Sequence, residues 1–426
     1  MRHKRSRRAL AVLAGAAGLV LAAACGSSGG GSVAGSGSAA ASGSAAASGS
    51  AAASGSIPVG VIGSYSGPAA SSIAGAKLAI QAWADSVNAK GGINGHPVQL
   101  FVEDDGGNVA TSLSEVKKLV EQDHVVAIVG QASGNASWSD YVRQKGIPVV
   151  GGNTASGIYL TNDDFFSVGG NLLGNFYGVA KLAGQNGPKL GNLYCAELPA
   201  CASTVGLLTG FGKSTGATLA YSSKVSASAA DFTAPCQGLK NAGVQSYTLG
   251  LAAATLNQVA ASCEQQGLKA KLILSNVADS TFTTIPALNG AEIVDAMFPF
   301  FDTSNAATRQ FHAVIKQYAP SLGTSSSPLN SEVTQAYASG VMFEAAVKAG
   351  GTSPVTPESV KKGLYTFRNE TLGGLTVPLT FTAGQPAVSN CFFTYQIKNG
   401  AFTEPNGLHP ICAPDSLVAS VAKSAS

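Results

Sequence analysis

Residues 57–63 read Ile-Pro-Val-Gly-Val-Ile-Gly, and this stretch decides the fold. A short apolar run bounded by glycine is typical of a buried strand. The next apolar side chains follow at helical spacing: Ile73, Ile80, Trp83 and Val87. Gly91-Gly92 ends that helix, and residues 98–102 form a second strand pattern. Strand, helix and strand joined by short links predict a parallel sheet with helices on both faces.

The same alternation continues along the chain and then starts again. Further strand patterns lie at 125–129, 147–150, 190–195, 219–225, 246–251, 271–274 and 291–298. Ser112 and Glu115 have capping-box spacing and predict that a helix begins there. Later helices are predicted at 306–318, at 333–349 and from Thr356 onward, and a strand–turn–strand at 391–402. About 370 residues in two similar halves indicate two domains.

The first 24 residues predict export from the cytoplasm. Five basic residues precede an apolar run at 9–24, which is the pattern of a secretory signal peptide. A transmembrane anchor is the alternative, but 16 residues is shorter than the roughly 20 that span a bilayer. Arg7-Arg8 also resembles a twin-arginine export signal, and general secretion is the default route. Residues 21–26, Leu-Ala-Ala-Ala-Cys-Gly, resemble a bacterial lipobox, in which Cys25 is lipidated.

Residues 25–56 predict a lipid-held, flexible tether. Beyond Cys25 and Val33 this stretch contains only Gly, Ser and Ala, which cannot bury enough apolar surface to fold. As a random coil it would reach about 30 Å. Cleavage after residue 24 changes the net charge from +3 to −2, because it leaves 21 basic and 23 acidic residues. That balance argues against nucleic acid as a partner.

Six further cysteines predict disulfides in an exported chain. They are Cys195, Cys201, Cys236, Cys263, Cys391 and Cys412. Six cysteines allow 15 pairings, and we expect neighbours to pair: 195–201, 236–263 and 391–412. Buried free thiols are the alternative. None of the spacings is CxxC, so neither a zinc site nor a redox centre is expected.

Several motifs in order resemble one known family. The clearest are 59–70 (Val-Gly-Val-Ile-Gly-Ser-Tyr-Ser-Gly-Pro-Ala-Ala), 88–95 (Asn-Ala-Lys-Gly-Gly-Ile-Asn-Gly), 102–105 (Val-Glu-Asp-Asp), 127–130 (Ala-Ile-Val-Gly), 146–150 (Gly-Ile-Pro-Val-Val) and 395–402 (Tyr-Gln-Ile-Lys-Asn-Gly-Ala-Phe). Together they resemble the leucine/isoleucine/valine-binding protein family over residues 57 to about 403. The resemblance implies a type I periplasmic-binding fold: two Rossmann-like α/β lobes, three interlobe crossings and a ligand cleft.

The resemblance also implies where the lobes begin and end. We place the crossings near residues 170, 296 and 378. Lobe I is then 57–170 with 297–377, lobe II is 171–296 with 378–412, and 413–426 is a C-terminal tail. In open parallel sheets, ligands bind beyond the carboxyl ends of the strands, so the cleft should collect the loops that follow them.

Candidate ligand contacts in lobe I lie on three of those loops. In the family, the loops that match Ser133-Gly134 and Asn153-Thr154 hold the ligand's carboxylate or its equivalent with hydroxyl and N–H groups. The alternative for Ser133 is an ordinary helix N-cap. Tyr65 either stacks on or hydrogen-bonds the ligand, or it lies on the rim. The acids at 103–105 are expected to be structural or solvated.

Lobe II departs from the family at the ligand's ammonium group. The family meets that group with an acid after the third strand of the lobe, but residues 250–255 read Gly-Leu-Ala-Ala-Ala-Thr. A buried ammonium without an anionic partner would cost several kcal/mol. We therefore hypothesise a solute without a free ammonium. Glu197, with an exposed loop charge as its alternative, and Asn276 are the lobe II candidates.

No combination of residues predicts catalysis. The five histidines are scattered, and no nucleophile, base and oxyanion site assemble. We expect a binding protein, not an enzyme, with no cofactor and no metal. It would be a lipid-anchored monomer on the outer face of the cytoplasmic membrane, delivering a small molecule to the permease subunits of an ABC importer. The solute could be branched-chain amino acid-like, an amide, an organic acid or an aromatic. A ligand-binding sensor and an exported hydrolase are the alternatives.

Overall fold

The structure is a computed structural model that describes residues 55–425, other than 135, 155, 198, 352, 387, 406 and 408. The predicted signal peptide, Cys25 and all but the last two residues of the predicted tether lie outside that range. Within it, no helix combines the length and the apolar character that a membrane crossing requires.

Thirteen strands and eleven helices make up the described chain. The strands are β1 (Ile57–Gly63), β2 (Val98–Asp104), β3 (Ala127–Gln131), β4 (Val149–Gly152), β5 (Phe165–Phe166), β6 (Lys189–Cys195), β7 (Thr218–Val225), β8 (Ser246–Gly250), β9 (Lys271–Ser275), β10 (Glu292–Asp295), β11 (Cys391–Lys398), β12 (Ala401–Thr403) and β13 (Ile411–Cys412). The helices are α1 (Ala70–Asn88), α2 (Val109–Glu121), α3 (Ser139–Lys145), α4 (Leu172–Asn186), α5 (Ser203–Thr215), α6 (Thr233–Asn241), α7 (Ala253–Gln265), α8 (Ala306–Tyr318), α9 (Ser331–Gly350), α10 (Pro357–Leu364) and α11 (Asp415–Ala425).

The first lobe is built on a parallel sheet with the strand order β2-β1-β3-β4-β5. Its two faces carry separate cores, because alternate side chains of a strand point in opposite directions. Val59 and Val61 of β1 join the core beneath α1 and α9, whereas Ile62 joins the core beneath α2 and α3. This is the doubly covered sheet that the sequence predicts.

The closest helix pairing in this lobe depends on a glycine. Helix α9 crosses α1 so closely that the Trp83 ring lies against the backbone of Gly340. A Cβ atom added at Gly340 would lie 2.2 Å from Trp83 Cδ2. Phe343 meets the same indole edge-on, with ring centroids 6.2 Å apart. These contacts hold α9 against α1.

The second lobe is built on a mixed sheet with the order β12-β11-β10-β9-β8-β6-β7, and β13 pairs with β11. Strands β6 to β10 are parallel, and β11 returns antiparallel to β10. Three disulfides join Cys195 to Cys201, Cys236 to Cys263 and Cys391 to Cys412. The predicted neighbour pairing is confirmed, and all three bonds lie in this lobe.

The chain passes between the lobes three times, as the resemblance implied. The connecting segments are 167–171, 296–305 and 365–390. They lie side by side: Gly170 N donates to Ala296 O at 3.0 Å, and Met297 pairs with Thr376. The lobe limits that we placed at 170, 296 and 378 stay a prediction for the units that would move.

The local sequence patterns predict most strands and the start of α10 correctly, but the start that they predict for α2 is wrong. Thr356 caps α10 as predicted, with a reciprocal capping box to Ser359. The helix predicted to open at Ser112 instead begins at Val109, because the Asn108 side chain accepts the N–H groups of residues 110 and 111. The predicted tail contains α11, which packs on α5.

The interlobe cleft as candidate binding site

A buried hydrogen-bond network fixes the cleft edge of lobe I. The Asp105 carboxylate accepts the Ser64 hydroxyl at 2.6 Å and the Ser133 hydroxyl at 2.5 Å. It also accepts Gly107 N at 2.8 Å, and Ser64 Oγ in turn accepts Gly134 N at 3.2 Å. The hydroxyl proton of Ser133 and the N–H of Gly134 therefore serve this internal network. Their roles as ligand contacts stay a prediction, and Asp105 is structural.

A different pair of groups offers free donors. Thr154 follows β4 and is 0% exposed, and its N–H donates to Gln335 Oε1 at 2.8 Å. Within the described chain, the Thr154 hydroxyl and the Gln335 Nε2 amide have no hydrogen-bond partner. Buried polar groups are normally paired, so these two donors are candidates for hydrogen bonds to a ligand. Gln335 lies on α9, far from Thr154 in sequence, and was missed by our sequence analysis.

Asn153 and Tyr65 are two other residues of lobe I that the sequence predicts as ligand contacts. Asn153 N donates to Gln131 O at 2.8 Å, and its side chain is half-buried. The Tyr65 ring lies over Gly63, and its hydroxyl oxygen is buried without a hydrogen-bond partner in the described residues. Burial, with Asp104, Asp105 and Glu332 nearby, raises the pKa of Tyr65, so the phenol is neutral and can donate.

Hydrogen bonds at the N-terminus of α9 connect the two lobes. Ser331 Oγ donates to Asp295 Oδ2 at 2.5 Å, and Tyr395 OH donates to the same oxygen at 2.9 Å. Ser331 belongs to the helix layer of lobe I, whereas Asp295 and Tyr395 lie on β10 and β11 of lobe II. Burial raises the pKa of Asp295 to about 6, against the opposing effect of the two hydroxyl donors. In the segment just before α9, Leu329 O accepts Ser280 N at 2.8 Å.

Glu332 is the next residue of α9 and was also missed by our sequence analysis. Its side chain is half-buried, and burial together with the nearby Asp295 raises the pKa of its carboxyl group to about 7. Its charge acts on Tyr65 and on Tyr159. An acid that follows Asn330-Ser331 looks like an ordinary first-turn acid, so no local pattern signalled a cleft position.

The two predicted lobe II residues have structural partners. Glu197 is exposed and accepts hydrogen bonds from Ala227 N at 2.8 Å and from the Ser226 hydroxyl at 2.9 Å. These bonds lower the pKa of its carboxyl group, and the bond from Ala227 N has the larger effect. Asn276 Oδ1 accepts Ala296 N at 3.0 Å, while its Nδ2 is buried without a hydrogen-bond partner in the described chain. Both roles in ligand binding stay predictions.

The side chains at the candidate site are suited to binding a ligand through hydrogen bonds more than to catalysing a reaction. The lobes are in contact, since α1 meets α7 across the cleft. In the described part of the chain, no group of three His, Cys, Asp or Glu side chains could hold a metal ion. The candidate site therefore combines neutral donors from Thr154, Gln335 and Tyr65 with the half-buried side chain of Glu332.

Comparisons with known proteins agree with this architecture. The family model described as periplasmic binding protein matches residues 56–401. None of the curated proteins compared matches the chain. Three solved structures are similar over most of its length, at identities that show the fold alone.

The first is a branched-chain amino acid ABC transporter protein from Thermus thermophilus with bound valine: 15% identity, 86% of this chain and 99% of that one, TM-score 0.75. The second is an ABC transporter solute-binding protein from R. palustris in complex with benzoate: 14% identity, 85% and 98%, TM-score 0.70. The third is a fatty acid ABC transporter substrate-binding protein from Thermomonospora curvata: 17% identity, 86% and 95%, TM-score 0.71. Because the family model covers most of the chain, the protein belongs to the periplasmic binding protein family, in the type I class that its sequence motifs predict.

Proposed function

We propose that this protein captures a small polar solute between its lobes outside the cytoplasm and delivers it to the permease of an ABC importer. The observation that carries the proposal is the pair of buried, unpartnered donors at Thr154 and Gln335. Each such group loses hydration without compensation in the free protein, at a cost of about 1–3 kcal/mol. A solute with a hydrogen-bond acceptor would remove that cost.

The chain would be exported, lipidated at Cys25 and held at the outer face of the cytoplasmic membrane as a monomer. Lobe I (57–170 with 297–377) and lobe II (171–296 with 378–412) would close around the solute about the three crossings. The protein would bind its solute without transforming it. The similar proteins with valine, benzoate or a fatty acid in their descriptions set the classes of solute to try first.

A thermal-shift screen of the mature chain tests the proposal. The probes are amino acids, amides, carboxylates, aromatic acids and fatty acids. A solute at 100 times its dissociation constant adds about 2.7 kcal/mol to the free energy of unfolding, which raises the melting temperature by several degrees. Thr154→Val keeps the shape of the side chain and removes the hydroxyl, so we expect the fold to persist and the shift to shrink or vanish.

The matched control is Thr209→Val, which removes an exposed threonine hydroxyl on α5 that bonds only its own helix, at Val205 O. It should leave the shift unchanged. A solute whose shift is equal in both variants does not use the Thr154 donor. The absence of any shift, together with the absence of a bound compound by mass spectrometry after denaturation, would count against a cleft receptor.

A further inference from the structure

We propose that Glu332 recognises a cation in the cleft and that the solute carries a positively charged nitrogen. This inference rests on the proposed function and names the class of solute. It replaces the hypothesis of a solute without a free ammonium, which rested on the missing acid at residues 250–255. That acid is absent from lobe II, but α9 of lobe I brings another one to the cleft.

The first support is the lack of a partner for Glu332. Within the described residues, no ion pair and no hydrogen bond engages its carboxylate. A half-buried carboxylate without a cation is costly, because hydration is lost and nothing replaces it. Protein carboxylates in such positions usually have a partner, so a charged group on the solute is the missing one.

The second support is the sign of the charges around the cleft. The charged groups that act on Tyr65, Glu332 and Tyr395 are all carboxylates. Asp295 on β10 acts electrostatically on Glu332, and Glu332 acts on Tyr65, in the loop after β1, and on Tyr159, in the 3-10 turn at 157–160. A site surrounded by acids and phenols favours a cation and disfavours an anion.

The third support is the pair of free donors beside Glu332. Gln335 lies three residues further along α9, on the same side of the helix. Its Nε2 amide and the Thr154 hydroxyl are buried, with the residues 1% and 0% exposed, and are unpartnered in the described chain. The solute therefore combines a charged nitrogen for Glu332 with an acceptor for these donors.

An ordinary helix-terminal role is the competing interpretation, because acids stabilise the first turn of a helix. The chain contains its own comparison at Glu358, which occupies the same second position of α10 but is exposed. If Glu332 served only the helix dipole, Glu332→Gln and Glu358→Gln would behave alike.

The test uses pairs of probes that differ in charge and little in shape: choline with 3,3-dimethylbutan-1-ol, benzylamine with benzyl alcohol, and L-leucine with 4-methylpentanoate. We expect thermal shifts from charged-nitrogen members only. For the best probe, calorimetric affinity should fall about 10-fold or more in Glu332→Gln. It should stay within about twofold in Glu358→Gln. Glu332→Asp keeps the charge and should retain the preference for cations.

Proton exchange supplies a readout that a structural role would not move. With its pKa raised to about 7, Glu332 holds a proton in part of the molecules at neutral pH. Binding a cation favours the ionised form, so it should release a proton, seen as a binding enthalpy that depends on the ionisation enthalpy of the buffer. Tight binding of the partner that lacks the charged nitrogen, or unchanged affinity in Glu332→Gln, would overturn the inference and leave the receptor function standing. No shift from any solute class would instead contradict the receptor function and this inference together.

Discussion

Replacing Asp295 by Asn should change how the free energy of unfolding depends on pH. Burial raises the pKa of Asp295 from 3.8 to about 6, so the native protein binds this proton more tightly than the unfolded chain does. The stability that the bound proton contributes is fully present below pH 3.8 and is lost as the pH rises through about 6. Relative to its value at low pH, the free energy of unfolding is therefore lower by about 0.6 kcal/mol at pH 4 and by about 3 kcal/mol at pH 7.5.

The substitution Asp295→Asn keeps the shape of the side chain and removes its titration. The oxygen of the new amide can take the place of Oδ2 and accept from both Ser331 and Tyr395. Its Nδ2 then replaces Oδ1 and loses the bond from Met297 N, which costs the same at both pH values. We therefore expect the stability of the variant relative to the wild type to rise by about 2.4 kcal/mol between pH 4 and pH 7.5.

Urea denaturation of both proteins at the two pH values measures this quantity as a difference of differences, so titrating groups that do not interact with Asp295 cancel. Glu332 does interact with it, and loss of the Asp295 charge should lower the pKa of Glu332, which changes the difference in the same direction. Asp140→Asn is the control, because Asp140 is exposed and should give parallel behaviour. If the wild type and Asp295→Asn changed in parallel between the two pH values, burial would not control this carboxyl group, and the account of the interlobe contact would be wrong.

Two further predictions concern stability away from the cleft. Gly340→Ala should lower the free energy of unfolding by about 1–3 kcal/mol, because the added Cβ meets the Trp83 ring. Helix propensity alone would make the alanine variant more stable, and urea denaturation that gave this result would refute the close packing. Replacing both Cys236 and Cys263 by Ala should cost about 3.5 kcal/mol, since their bond closes a loop across 27 positions; an oxidised wild type no more stable than the variant would contradict that cross-link.

The sequence was sufficient for most of the sheet and insufficient for the helix start at α2. Buried strands such as β1 and β3 are short apolar runs, so their positions follow from composition. At α2 the capping-box spacing of Ser112 competed with the Asn108 side chain, and Asn108 wins because it bonds two N–H groups at once. Ser112 is instead buried, with its Oγ 3.3 Å from Ser133 Oγ.

The candidate site divides in the same way. Thr154 could be predicted because it ends a parallel strand, and strand ends meet at one edge of a sheet. Glu332 and Gln335 could not, because their importance comes from where α9 returns to lobe I after the chain has built most of lobe II. Their neighbours Asp295, Tyr65 and Thr154 are distant in sequence, and no local pattern links them.

The threefold passage between the lobes has a consequence for how the molecule is completed during synthesis. Neither lobe is one continuous stretch of chain, so no single cut yields an intact half. Strand β11 lies between β10 and β12 and is supplied by residues 391–398, close to the end of the sequence. A nascent chain therefore leaves one edge of β10 unpaired until residues 391–398 have emerged. The second lobe therefore cannot complete its sheet before the chain has also supplied the helices α8 to α10 of the first.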